Sequence, residues 1–152
     1  MLHIKHMSLT RQDKQRDFRV TLPSLSLNAG EIGALTGLSG CGKSTLLEMI
    51  GLILRPDTLA VYQLNGQMDI TEPIMKNDTN QLAQLRASQF GFVLQNGGLL
   101  PYLTVAQNIQ LPRHISSLKG SPDWLDDAID RLHIRPLLSN YPGQLSIGER
   151  QR

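Results

Sequence analysis

The fold of this chain is decided at Gly37–Ser44, which reads Gly-Leu-Ser-Gly-Cys-Gly-Lys-Ser. This stretch matches the pattern G-x-x-x-x-G-K-[ST] at every fixed position. Glycines let such a loop curl until successive backbone N–H groups point at phosphate oxygens, and the helix that follows presents its positive N-terminal end to the same anion. The pattern therefore predicts a phosphate-binding loop, in which Lys43 reaches the β- and γ-phosphates and Ser44 holds Mg²⁺.

The segments on either side of the loop suit this role. Ile32–Thr36 reads as a short buried strand that leads into the loop. Lys43–Leu54 reads as a helix that leaves it, and its apolar residues on most faces predict burial on most sides. Arg55–Asp57, with Pro56 at its centre, is expected to stop this helix. The residues expected to bind the nucleotide are Gly37, Ser39, Gly40, Cys41, Gly42, Lys43, Ser44 and Thr45.

The rest of the chain divides into a β-rich part, residues 1–95, and a helical part, residues 96–152. Gly97, Gly98 and Pro101 mark the junction between them as a hinge. Periodicity, capping residues and turn residues predict the further elements. These are strands over Leu2–Leu9, Phe18–Leu27 (with Pro23 at an edge or kink) and Phe90–Leu94, a hairpin of Leu59–Leu64 and Gln67–Ile70 around Asn65-Gly66, a polar loop over Thr71–Asn80, and helices over Gln81–Ser88, from Thr104 to about Leu111, and from Ser121-Pro122 onward.

Two further stretches separate this chain from other proteins with such a loop. Phe90–Gln95 reads Phe-Gly-Phe-Val-Leu-Gln and precedes Leu99–Val105, and Tyr141–Arg152 reads Tyr-Pro-Gly-Gln-Leu-Ser-Ile-Gly-Glu-Arg-Gln-Arg. The first resembles the Q-loop region of ATP-binding-cassette (ABC) ATPases, and the second resembles their signature segment. Together with Gly37–Ser44, three motifs stand in the family's order over nearly the whole chain. The sequence of these stretches is most similar to the lipoprotein-release and macrolide-exporter branch of the family.

The resemblance implies an α/β fold: a P-loop NTPase (RecA-like) core, an antiparallel β subdomain and an α-helical subdomain, incomplete at the C-terminus. It also implies an ATP-binding subunit at the cytoplasmic face of the inner membrane, coupling ATP binding and hydrolysis to transport by an integral membrane permease. ATP and Mg²⁺ would be its cofactors, and Gln95 would contact Mg²⁺ and the attacking water. Two such domains would pair head to tail, so that Ser146 and Gly148 of one touch the γ-phosphate bound by the other.

The signature segment departs from the family at two positions. The family reads Leu-Ser-Gly-Gly-Gln, whereas the third and fifth residues here are Ile147 and Glu149. Ile147 is expected to crowd the nucleotide or distort the turn, because only glycine freely adopts a positive φ. Ser146 and Glu149 nevertheless match the S-x-x-E capping box, which predicts a helix that begins at Ser146.

The base contact and the C-terminal end also depart from the family. The family stacks adenine on an aromatic residue, but that position falls near Arg11–Gln12, and the nearest aromatic residue, Phe18, alternates with Val20 as a core residue would. The base contact therefore stays open. Because the chain stops at Arg152, before the family's Walker B strand, we expect negligible hydrolysis by these 152 residues alone. Open apolar strand edges are then expected to make this piece marginal, oligomeric or partner-dependent.

The bulk composition limits the alternatives. The 152 residues carry a net charge of +2, from 15 basic and 13 acidic side chains, which is too balanced to indicate nucleic acid or a membrane surface as a partner. A single cysteine, Cys41, excludes an intrachain disulfide. Two other interpretations stay open. One is another P-loop NTPase, such as a small-molecule kinase, which leaves Tyr141–Arg152 unexplained. The other is a nucleotide-binding fragment or decayed gene product without turnover.

Overall fold

Contacts between residues divide the chain into two units, Met1–Phe90 and Gly91–Arg152. The structure, a computed structural model, describes residues 1–13, 16–94, 97–116 and 122–152. The predicted junction at residues 95 and 96 lies outside these ranges, so the predicted domain boundary stays a prediction. Within the described ranges, every helix is too short or too polar to span a bilayer.

The first unit is built on a four-stranded antiparallel sheet with the order β2-β1-β3-β4. Its strands are β1 (Leu2–Asp13), β2 (Arg16–Leu27), β3 (Val61–Leu64) and β4 (Met68–Asp69). The two predicted N-terminal strands are confirmed, and both are longer than predicted. Strand β2 lies at the edge of the sheet, which agrees with Pro23, because a proline cannot donate a hydrogen bond to a ladder.

The predicted hairpin around Asn65-Gly66 is also confirmed. Asn65 and Gly66 both have positive φ, +53° and +76°, as a two-residue turn between twisted antiparallel strands requires. Strand β3 pairs with β4 on one side and with the start of β1 on the other, where Ile4 lies opposite Tyr62. The turn residues therefore set the register between β3 and β4, and the pairing with β1 places Tyr62 beside Ile4 in the core.

The helix after the phosphate loop is shorter than predicted. It runs over α1 (Lys43–Ile50) and ends at Gly51, four residues before the expected stop at Arg55. Leu52 takes a left-handed conformation, φ +59°, and its N–H bonds to the Met49 carbonyl while the N–H of Ile53 bonds to the Glu48 carbonyl. This is the Schellman arrangement, which usually places glycine where Leu52 stands. Sequence alone missed the end because the burial of a leucine side chain offsets its backbone cost here.

Two helices follow the hairpin, α2 (Thr71–Lys76) and α3 (Thr79–Gln89). The predicted helix over Gln81–Ser88 is confirmed as part of α3, but the polar loop predicted over Thr71–Asn80 is wrong. Helix α2 is short and polar, so it has no hydrophobic periodicity to detect. Its stabilisation comes from the Glu72–Lys76 ion pair and from burial of Ile74.

Two predicted buried strands, Ile32–Thr36 and Phe90–Leu94, are wrong. Both segments lack regular secondary structure and join no ladder among the described residues, and Ile32 and Val93 are 96% and 90% exposed. A strand of a parallel sheet is stable only between neighbours that satisfy its backbone groups and cover both of its faces. The sheet that does form is antiparallel and includes neither segment.

The second unit is helical, as predicted. It contains α4 (Val105–Ile115), α5 (Trp124–Arg131) and α6 (Ile147–Gln151), with short 3-10 turns at Arg135–Leu137 and Pro142–Gln144. The capping box at the start of α4 is confirmed, since the Gln107 N–H donates to Thr104 Oγ1 at 3.2 Å and the Thr104 N–H donates to Gln107 Oε1 at 2.9 Å. Helix α4 extends past the expected end at Leu111. Ser121, expected to start α5, lies outside the described residues.

Tyr62 ties the sheet to the helix that follows the phosphate loop. Its side chain is fully buried, and its hydroxyl donates to the backbone carbonyl of Ile50, the last residue of α1. The last carbonyls of a helix have no partner within the helix, and the Tyr62 hydroxyl supplies one for Ile50. The C-terminal end of α1 is thereby held against β3.

We expect Tyr62→Phe to lower the free energy of unfolding by about 1–2 kcal/mol, since the Ile50 carbonyl loses its partner while the ring stays packed. Urea unfolding at neutral pH measures this change. Tyr102→Phe is the matched control, because the Tyr102 side chain is exposed. Equal stabilities of the Tyr62 variant and the original chain would contradict the role assigned to the hydroxyl.

Burial also raises the pKa of Tyr62 well above that of a free tyrosine. A phenol whose pKa is raised by folding contributes stability that is complete below the unfolded value, about 10, and is lost as the pH rises above it. The original chain should therefore lose stability above about pH 10, and Tyr62→Phe should lose less. Urea unfolding repeated between pH 8 and about pH 11 measures how the free energy of unfolding changes with pH. The same change in the original chain and in Tyr62→Phe would contradict this assignment.

Candidate phosphate-binding site

The loop Gly37–Ser44 has the curled backbone that the sequence predicts. Gly37, Gly40 and Gly42 have φ of +152°, +78° and +95°, values that side chains with a Cβ rarely adopt. The loop is closed by a hydrogen bond from the Cys41 N–H to the Leu38 carbonyl. The three glycines therefore occur where the backbone turns, and not merely as small residues.

Helix α1 begins at this loop with its N-terminal N–H groups free of side-chain caps. Its N-cap is Gly42, which has no side chain to accept from them, and the first turn contains no acidic residue. By contrast, α3, α4 and α6 are capped by Asp78, Thr104 and Ser146. Helices α2 and α5 also lack a side-chain cap, but each has an acidic residue in its first turn. Uncapped N–H groups and the positive end of the helix dipole together form an environment that favours an anion.

Lys43 adds a cation to the same place. Its Nζ donates to the carbonyls of Gly37 and Leu38, at 2.9 and 2.7 Å, and lies 3.8 Å from Cys41 Sγ. The ammonium group therefore sits across the mouth of the loop, held by neutral acceptors. An arriving phosphate would offer it a charged acceptor, which makes a stronger hydrogen bond.

The remaining loop residues follow from this geometry. Ser44 lies in the first turn of α1 with its side chain exposed, as a hydroxyl that contacts Mg²⁺ must be. Ser39 and Cys41 are also exposed, and Thr45 is half-buried. The structure thus brings all the predicted loop residues together, while their contacts with a nucleotide stay predictions.

Side chains of strand β2 pack against the backbone of the loop. A Cβ built on Gly42 would lie 2.6 Å from both Phe18 Cζ and Val20 Cγ2, so these two side chains press against the Gly42 backbone. In the sequence, Phe18 and Val20 alternate as core residues of a strand do. Their alternation correctly indicated a common face, but no local pattern indicates which loop that face contacts.

The Q-loop region is described only in part, whereas the signature segment, Tyr141–Arg152, is described throughout. Gln95, predicted to contact Mg²⁺ and the attacking water, lies outside the described residues. Within the second unit, Gly97 has φ +77°, and a Cβ built on it would lie 3.0 Å from the Arg150 carbonyl oxygen. The segment after Gln95 therefore approaches the signature helix α6 closely, at a glycine.

Asn108 organises the loop between these regions, and no motif in the sequence identifies it. Its Nδ2 donates to the carbonyls of Leu100, Leu103 and Thr104 at 3.0–3.1 Å, and its Oδ1 accepts from the Leu100 N–H at 2.8 Å. In the sequence, the one signal for this role of Asn108 is its position, about one turn after the N-cap Thr104.

The predicted capping box of the signature segment is confirmed. The Glu149 N–H donates to Ser146 Oγ at 3.2 Å, and Glu149 Oε2 accepts from the Ser146 N–H at 2.7 Å. These hydrogen bonds with Ser146 hold the pKa of Glu149 below its ordinary value. The distortion expected from Ile147 is not found, because Ile147 is an ordinary helical residue with an exposed side chain and no positive φ. Space around Gly148 is open.

We expect Gly42→Ala to destabilise the chain more than Gly40→Ala. Both substitutions force a Cβ onto a left-handed backbone, at about 1–2 kcal/mol each, but only the one at Gly42 also collides with Phe18 and Val20, which adds about 1–3 kcal/mol. Urea unfolding of the two variants measures the difference. Equal losses would mean that strand β2 does not support the loop.

Comparisons with known proteins identify the family of this chain. A family model described as "ABC transporter" matches residues 20–152. The macrolide export ATP-binding/permease protein MacB of Shigella flexneri is 39% identical over 131 residues, and MacB of Escherichia coli is 37% identical over 131 residues. These matches cover 85% of this chain and 19% of each relative, so the chain spans about a fifth of their length.

Solved structures show the same fold. An ATP-binding cassette dimer in a post-hydrolysis state, bound to ADP and Pi, superposes with a TM-score of 0.80 at 24% identity. A dimeric bacterial ABC transporter cassette superposes with a TM-score of 0.78 at 25% identity. Each covers 99% of this chain, which in turn covers 65% of that structure. Since the family model extends over residues 20–152, the chain belongs to the ABC transporter family, as its ATP-binding domain.

Proposed function

We propose that this chain binds ATP with Mg²⁺ at Gly37–Thr45 and serves as the ATP-binding part of a transporter. The observation that carries the proposal is the uncapped N-terminal end of α1 with the Lys43 ammonium beside it. The N-terminal end of α1 thus combines free backbone N–H groups, the positive end of the helix dipole and a cation. A nucleotide's phosphates supply the charge and the acceptors that this arrangement lacks.

Each residue then has a definite task. The N–H groups of the loop and of the first turn of α1 bind the phosphate oxygens. Lys43 moves its Nζ from the carbonyls of Gly37 and Leu38 to the β- and γ-phosphates, and Ser44 offers its exposed hydroxyl to the metal ion. When bound, Mg²⁺ neutralises charge on the β- and γ-phosphates.

The proposal includes two partners, a second copy of the domain and a membrane permease. The solved structures are dimers, which supports a head-to-tail pair in which Ser146 and Gly148 reach the γ-phosphate of the other domain. The relatives named ATP-binding/permease proteins support an integral membrane permease as partner and a place at the cytoplasmic face of the membrane. We assign Gln95 to Mg²⁺ and water, and hydrolysis to the complete domain. Family membership removes the small-molecule kinase alternative.

Replacing Lys43 by alanine tests the phosphate assignment. We expect titration with a fluorescent ATP analogue and Mg²⁺ to give binding at least about tenfold weaker, since a hydrogen bond between charged groups is lost. Lys76→Ala removes the same charge from an exposed pair with Glu72 and should bind like the original chain. If the Lys43 and Lys76 variants bind alike, the loop does not hold the phosphates.

A further inference from the structure

A small cavity lies beyond the C-terminal end of α1, within the first unit. It has a volume of about 170 Å³ and is bounded by the turn that follows α1 and by residues of α2 and α3. Its polar lining residues are Arg55, Asn77, Thr79 and Arg86, and the described residues of its wall include no aspartate or glutamate. The cavity therefore combines hydrogen-bond donors and positive charge without a carboxylate.

Arg86 reaches this cavity from α3 and is fixed by one hydrogen bond. The residue is half-buried, and its Nη1 donates to the backbone carbonyl of Leu52 at 2.8 Å. A guanidinium group has several further N–H donors, and for these the described residues offer no acceptor and no ion pair. A half-buried positive charge without a counter-charge is unfavourable, so binding of an anion beside Arg86 would stabilise it.

Arg55 brings a second guanidinium group to the same cavity. Its side chain is exposed and is in no ion pair among the described residues, whereas Arg131, also exposed, is paired with Asp127. The neighbouring Pro56 is fully buried, which anchors the backbone from which Arg55 extends. Two guanidinium groups at one cavity repel each other, and an anion between them converts that repulsion into two attractions.

Neutral donors complete the lining of the cavity. Asn77 follows α2 in a left-handed conformation, φ +54°, and Thr79 is the first residue of α3. Both are exposed, and neither side chain bonds to another described residue. The carboxylate of Asp78, between them, accepts from the Gln81 N–H and does not line the cavity. An amide and a hydroxyl thus stand beside the two arginines, free to donate to a ligand.

A phosphate group matches this set of donors. Arginine binds phosphate through paired N–H···O bonds, and the oxygens of a tetrahedral phosphate point in several directions at once. A carboxylate offers only two oxygens, in one plane, to donors that stand on three segments of the chain.

We propose that this cavity is an anion-binding site that takes the phosphate group of a ligand other than the nucleotide at Gly37–Thr45. The inference does not depend on the proposed function, because no residue of the phosphate loop takes part. Two sources share this chemistry, a soluble phosphate compound and the headgroup of an anionic phospholipid. The second source is included because Ile53, which is 49% exposed, also lines the cavity.

The test begins with inorganic phosphate, added at constant ionic strength to the ¹⁵N-labelled full chain. We expect saturable shifts of the Arg86 Nε–H and of the backbone N–H groups of residues 77–79. Lys43→Ala disables the phosphate loop and should leave the affinity at the cavity within about twofold, because the two sites share no residues. Shifts confined to residues 37–45 would refute the second site, since phosphate would then bind only at the loop.

Arg55→Gln is the variant that decides the assignment, because its exposed side chain makes no hydrogen bond among the described residues that folding could depend on. We expect it to weaken phosphate binding at the cavity about fivefold, since a hydrogen bond between charged groups is lost. Lys76→Gln is the matched control. It removes the same charge next to Asn77 but outside the lining, and should change the affinity by less than about twofold. Equal weakening by both variants would indicate general attraction of anions and overturn the proposal.

Vesicles then distinguish the two sources. Cosedimentation with phosphatidylcholine vesicles that contain phosphatidylglycerol is compared with cosedimentation with pure phosphatidylcholine. Binding to the anionic vesicles that Arg55→Gln abolishes assigns the site to a lipid headgroup, whereas phosphate binding without vesicle binding assigns it to a soluble compound. If neither ligand binds in a way that depends on Arg55, the site is refuted. A cavity that binds phosphate in a chain that fails to bind Mg-ATP would refute the proposed function alone.

Discussion

The contact of Phe18 and Val20 with the backbone of Gly42 joins the sheet to the phosphate loop. Gly42 is at once the last glycine of the loop, the N-cap of α1 and the residue whose missing Cβ makes room for strand β2. Because one residue has all three roles, the curl of the loop, the start of the helix and the packing of the sheet cannot vary independently. At the other end of α1, the Tyr62 hydroxyl holds the Ile50 carbonyl. The helix is thus fixed at both ends.

The N-terminal ends of the helices differ in what bonds their free N–H groups. Asp78, Thr104 and Ser146 close the N-terminal ends of α3, α4 and α6 with side-chain hydrogen bonds. Helices α2 and α5 lack such a cap but have acidic residues in their first turns. The first turn of α1 has neither a cap nor an acidic residue, and the Lys43 ammonium lies at the loop that precedes it. Free N–H groups beside a cation cost stability unless an anion binds them, which is how a binding site differs from an ordinary helix start.

Features set by neighbouring residues could be predicted from the sequence. The loop pattern, the Asn65-Gly66 turn and the capping boxes at Thr104 and Ser146 are of this kind, because each depends on chemistry within a few residues. The strands at Ile32–Thr36 and Phe90–Leu94 were wrong because a parallel strand depends on neighbours distant in sequence. The contact between Phe18 and Gly42 was not predicted for the same reason, because the two residues are distant in sequence. The end of α1 at the left-handed Leu52 was not predicted because glycine is the usual signal at that position.

The central claim is that the backbone N–H groups from Gly37 to Thr45 bind the phosphates of a nucleotide. Amide resonances of a ¹⁵N-labelled chain, followed while Mg-ATP is added, test this most directly, because they report each N–H group separately. The account predicts that the largest shifts fall on residues 37–45, while the hairpin over Val61–Asp69 stays unchanged. Binding of Mg-ATP that leaves the loop resonances unmoved, or that moves resonances elsewhere instead, would contradict it.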